Sequence, residues 1–183
     1  MRALIRTQIA LIEPLSDAEH AQWLDALAWV DSGAPLFRTA KPATPPKHLV
    51  AYFPVIDGDF ILLVDHKNAK RWLPTGGHVE PDEDPRTTVV RELREELGLV
   101  VAFDGVGPPL LVTVTETVGL TRGHTDVSLW YPVHADRSQT LQFDQTEFSD
   151  ARWFHRDEAT QLASDPNLPM FLAKLRERCY TGS

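Results

Sequence analysis

The chain has 183 residues with 43% hydrophobic and 24% charged side chains, a balance that fits one globular domain and excludes large-scale disorder. No apolar run approaches the roughly 18 residues of a membrane span, and Arg6 and Gln8 interrupt the N-terminal stretch where a signal peptide would need an apolar core. The formal net charge of −8 argues against a duplex nucleic-acid binder, and Cys179 as the lone cysteine excludes an intramolecular disulfide and favours a reducing cytoplasm.

In chain order, residues 3–13 read as a partly alternating strand. Ser16-Asp17, with Glu19 three residues beyond Ser16, signals a helix start, and Trp23, Leu24, Leu27 and Val30 continue at helical spacing to Gly33. Pro35, Pro42, Pro45 and Pro46 then make residues 33–48 irregular. The chain thus divides into an N-terminal strand-helix extension with a proline-rich linker (1–47) and a main domain (48–183). An extension this short is marginal alone and is expected to pack on the body or on a partner.

The main domain opens with strand runs at 49–57 and 60–67, joined by the turn signal Asp57-Gly58, with Pro54 marking an edge or a bulge. Residues 71–77, RWLPTGG, read as a loop. Asp84 and Pro85 start a helix that runs to Leu97 and stops at Gly98. Further strands are expected at 110–118, 125–134 and 150–154, with helices at about 157–164 and 168–179.

Half of the net charge lies in residues 76–99, which hold seven acids and three arginines. At about 100° per residue, Glu92, Glu95 and Glu96 share one arc of the 85–97 helix, while Val90, Leu93 and Leu97 form a separate apolar arc. Three carboxylates within one turn repel one another. A solvated helix face is one reading; a hard divalent cation bound between them is the other.

The spacing decides in favour of the cation. Gly77, five residues, Glu83, seven residues, then Arg91-Glu92-Leu93-Arg94-Glu95-Glu96-Leu97-Gly98-Leu99 resembles the Nudix box at every fixed position. Seven identities at roughly 6% each recur by chance on the order of 10⁻⁹ per start. The resemblance covers about residues 48–160 and implies an α/β/α sandwich with a mixed β-sheet. It further implies hydrolysis of a pyrophosphate bond in a nucleoside diphosphate derivative with Mg²⁺ or Mn²⁺. Carried over by position, Glu92, Glu95, Glu96 and the Gly76 carbonyl are the metal ligands, and Arg91 pairs with Glu83. The general base is Glu92 or a glutamate of a later loop, Glu147 ahead of Glu116.

His78, Tyr52 and Asp126 are the candidate substrate contacts, each weighed against an ordinary structural role. Trp130, Tyr131 and Trp153 are candidate stacking platforms but read more readily as core. The absence of a proline or tyrosine about 16 residues beyond Leu99 leaves nucleoside triphosphates, oxidised nucleotides and nucleotide-sugar-type diphosphates in front. The alternative is a non-catalytic Nudix-fold nucleotide sensor, against which the intact box counts. A homodimer is expected from the family, with the N-terminal extension as an element two copies could exchange.

Overall fold

The computed structural model describes residues 1–41, 44–117 and 123–181, with side chains described to 177. Two helices open the chain, α1 (Arg2–Ala10) and α2 (Asp17–Asp31). Residues 3–13 are therefore not a strand. Ile5, Ile9 and Ile12 recur at four and three residues, the helical period, and all three are buried. The α2 start follows the expected cap, with Ser16 Oγ accepting from Glu19 N–H. The Glu19 carboxylate reaches back to Leu15 N–H at 2.7 Å. It also meets Lys174 in a buried ion pair that joins the extension to the last helix.

The strands are β1 (Lys47–Phe53), β2 (Val55–Asp57), β3 (Phe60–His66), β4 (Arg71–Leu73), β5 (Thr75–His78), β6 (Leu111–Glu116), β7 (Thr125–Trp130), β8 (Val133–His134) and β9 (Phe148–His155). Between and after them lie α3 (Pro85–Leu97), α4 (Arg156–Ala159) and α5 (Leu168–Thr181). Residues 71–77 are thus mostly strand rather than loop. Thr75–His78 pair antiparallel with β1, and Arg71–Leu73 pair with the end of β3.

The strands form two mixed sheets. The first has the order β5-β1-β7-β6, with β1 and β7 parallel. In the second, β2 and β4 share one edge of β3 and β9 occupies the other, while β8 runs parallel to β2. Pro54 does not mark an edge strand, since β1 is paired on both sides. It breaks the 49–57 run where the chain leaves one sheet for the other, and Pro132 does the same between β7 and β8.

Helices cover both faces of this pair. One buried cluster joins Leu49, Ala51 and Phe53 of β1 with Val89, Leu93 and Leu97 of α3 and with Ile5, Ile9 and Val30 of the extension. The other joins Ile61, Leu63 and Trp130 with Leu168, Phe171, Leu172 and Leu175 of α5. The extension thus shares the core of the body. It also protects β6, an edge strand, because Gln22 Oε1 accepts from Val114 N–H at 2.9 Å.

Candidate active site

The site is built on α3, which has the bounds expected from the sequence. Asp84 caps it by accepting from Arg86 N–H at 2.9 Å, and Gly98 ends it in the left-handed conformation at φ 67°. Burial of Val89, Leu93 and Leu97 fixes the rotation of the helix and so directs its glutamates. Glu96 is nearly buried, Glu92 is half-buried and Glu95 stands in solvent.

Arg91 gathers the acids. Its Nη2 lies 3.2 Å from Glu83 Oε2 and its Nη1 lies 2.7 Å from Glu92 Oε1 and 3.5 Å from Glu95 Oε2. It also donates to the His78 carbonyl at 3.4 Å, so one guanidinium ties the pre-helix loop, the helix and β5 together. Thr88 Oγ donates to Glu83 at 2.7 Å. Burial opposes ionisation of Glu83, but the hydrogen bonds from Arg91, Thr88 and the Glu80 N–H outweigh it and hold the carboxyl below its ordinary range.

The glycines permit close approach. A Cβ on Gly77 would lie 2.3 Å from Glu92 Oε1, and one on Gly76 would lie 2.4 Å from the Tyr52 ring. Gly76 faces Tyr52 in the β1–β5 register, and the Tyr52 ring meets Trp130 edge-on at 4.4 Å.

A cavity of about 540 Å³ opens beside this helix. Gly76, His78, Tyr52, Asp126, Glu96 and Glu147 all contribute to its lining. Glu83, Arg91, Glu92 and Glu95 do not. Trp130 reaches the cavity, but Tyr131 is wholly buried with its hydroxyl on Gln8, as a core residue.

Glu96 Oε2 is buried with no hydrogen-bond partner among the described residues. Burial, reinforced by the charges of Glu92, Glu147, Asp144 and Glu95, pushes its carboxyl up to about 9. Burial also raises Glu92, against the pull of Arg91. Carboxylates crowded in this way, one of them orphaned, fit a hard divalent cation better than they fit one another.

Sequence reasoning missed His48, which is fully buried, because it stands at the end of the proline-rich linker. Its Nε2 lies 3.1 Å from His78 Nε2 and 3.3 Å from Asp126 Oδ1. Its strand register opposite Asp126 was the available signal, and that register appears only once β1 and β7 are paired. Burial, with Arg38 nearby, lowers the His78 imidazole to about 3, so it is neutral at pH 7.

Two helix-covered mixed sheets, with an acidic helix packed on a glycine strand beside a cavity, fit an α/β enzyme of the phosphate-hydrolysing kind. The NUDIX domain model matches residues 46–175, and the chain belongs to that family as a pyrophosphohydrolase. It is 30% identical over 124 residues to the asymmetrical bis(5'-nucleosyl)-tetraphosphatase of Rattus norvegicus, covering 64% of this chain and 78% of that one. Among solved structures, the E. coli ORF135 protein matches with a TM-score of 0.58 at 27% identity, over 76% of this chain and 96% of that one. A C. elegans Ap4A hydrolase binary complex matches with a TM-score of 0.58 at 18% identity, over 73% and 98%, a likeness of fold. No helix among the described residues is long and apolar enough to cross a membrane.

Proposed function

We propose that this chain hydrolyses a pyrophosphate bond in a nucleoside diphosphate derivative, with Mg²⁺ or Mn²⁺ held by Glu92, Glu95, Glu96 and the Gly76 carbonyl. The observation that carries this reading is Glu96 itself, a buried carboxylate with an orphaned oxygen on the wall of a nucleotide-sized cavity. When bound, the cation neutralises phosphate oxygens and lowers the pKa of coordinated water.

The chain's own groups supply the rest. Arg91 holds Glu92 at 2.7 Å and fixes its carboxylate against β5. Glu92, raised by burial, accepts the proton of the attacking water. Glu147, on the cavity wall, is the rival for that role. Tyr52, His78 and Asp126 line the substrate space from the sheet side. The setting is the cytoplasm, consistent with a single cysteine in 183 residues.

The decisive experiment measures phosphate and nucleotide release with Mg²⁺ or Mn²⁺ against nucleoside triphosphates, oxidised nucleotides, nucleotide sugars and ADP-ribose. The names of the rat and C. elegans relatives add bis(5'-nucleosyl) tetraphosphates to the panel. Cleavage of one class, abolished by EDTA and restored by the metal, is expected. Tight nucleotide binding without turnover across the panel would overturn the reading in favour of a sensor.

A further inference from the structure

We propose that His48, His78, His124 and Asp126 form a second metal site, for a zinc-type transition ion, separate from the glutamates of α3. One donor atom from each of the four lies within 4.8 Å of the others. His48 Nε2 stands 3.1 Å from His78 Nε2 and 3.3 Å from Asp126 Oδ1, and His124 Nε2 stands 3.4 Å from the same Asp126 oxygen. A tetrahedron with metal–ligand bonds of about 2.0–2.1 Å has edges of about 3.3–3.4 Å. The three close separations match such edges; the others are no longer than 4.8 Å, and ion binding must draw them in.

The fold holds these residues in place. β5, β1 and β7 are adjacent strands, with His48 opposite Asp126 and Val50 opposite His78. His48 is fully buried and His124 nearly so. His48 Nδ1 lies 2.8 Å from the Pro45 carbonyl, an acceptor only, so the ring proton sits on Nδ1 and the Nε2 lone pair points into the cluster. His124 Nδ1 lies 3.2 Å from Thr117 Oγ, which anchors that ring beside the cluster.

That tautomer turns the His48 Nε2 lone pair toward His78 Nε2 and Asp126 Oδ1. Asp126 Oδ1 is buried, faces two imidazole nitrogens and receives no well-formed hydrogen bond among the described residues. Three imidazole nitrogens and a carboxylate oxygen converge on one point, the donor set of a cation site. Three imidazoles and one carboxylate select zinc, cobalt or nickel over magnesium, which prefers an all-oxygen shell. The two sites therefore differ in the ions they take. Because His78 and Asp126 also line the cavity, the ion joins strands β1, β5 and β7 next to the substrate space.

The test uses the full chain, stripped of metal and then held in saturating Mg²⁺ to fill the glutamate site. Zn²⁺ is titrated by calorimetry, and Co²⁺ is added separately for its absorption spectrum. One Zn²⁺ per chain, the intense visible bands of tetrahedral Co²⁺ and a raised Tm are expected. Asp126→Asn and His124→Gln should each weaken Zn²⁺ binding by about 10²-fold or more, while Glu95→Gln leaves it unchanged. Weak six-coordinate Co²⁺ bands overturn the proposal, as does Zn²⁺ affinity that is equal in all variants and the parent. Binding of inorganic phosphate in place of Zn²⁺ would mark the cluster as an anion site and also overturn it. The Co²⁺ spectrum of the unaltered chain stands even where a variant fails to fold. None of these readouts depends on catalysis.

Discussion

Gly77 on β5 and Glu92 on α3 touch so closely that a methyl group on the glycine would fall 2.3 Å from Glu92 Oε1. The carboxylate is therefore placed by contact with a neighbouring strand as well as by its own helix. Gly77→Ala should push Glu92 aside and lower kcat by about 10²-fold, the loss expected for a displacement of about 1 Å. The check is kcat measured beside the circular dichroism spectrum. Full activity in a folded Gly77→Ala protein would show that Glu92 tolerates displacement.

Glu83 and Arg91 meet at 3.2 Å, with the same guanidinium bound to Glu92. A double-mutant cycle of Glu83→Ala and Arg91→Ala on kcat/KM should give a coupling of about 1 kcal/mol. Strict additivity would mean that the pairing does not support the site.

Glu96 supplies a pH dependence. Its carboxyl titrates near 4.5 in an unfolded chain and near 9 in the metal-free fold, so between those values the folded state holds the extra proton. Stability of the metal-free protein should therefore fall as pH rises through that window. Thermal melts in EDTA from pH 5 to 9 should show this slope, and Glu96→Gln should flatten it. The same variant should lower kcat by about 10²-fold or more in Mg²⁺. A parent and variant with parallel stability profiles would place the ionisation elsewhere.

The choice of general base rests on two variants. Glu92→Gln should lower kcat by about 10³-fold or more, and Glu147→Gln by about tenfold to a hundredfold, a gap of at least ~1.4 kcal/mol. Profiles at saturating Mg²⁺ across pH 5 to 9 decide it. If Glu147→Gln suffers more and loses the acidic limb, proton transfer belongs to the loop.

Local chemistry made α3 legible from the sequence. Its cap, its stop and most of its apolar arc lie within residues 84–98, though Val89 rather than Val90 completes the buried face, and the acidic arc follows from their spacing. The 3–13 segment is ambiguous in sequence because Ile5, Ile9 and Ile12 fit a helix while the intervening residues half-alternate, and burial against the body selects the helical period. The glycine stretch resembles a loop in sequence because strand pairing by Thr75–His78 depends on β1, some 25 residues upstream. The histidine cluster was hidden for the same reason. His48, His78 and His124 are neighbours only across strand pairings that no short window contains.

The bond from Gln22 to Val114 has a consequence for how copies of this chain can meet. β6 is the outer strand of its sheet, and an outer strand with open amides invites the matching strand of another molecule. Here α2 lies against that border and occupies one of its donors. End-to-end growth of the sheet into a ribbon must therefore first peel the extension away. The helix that guards this border comes from the part of the chain that precedes the NUDIX match at residue 46.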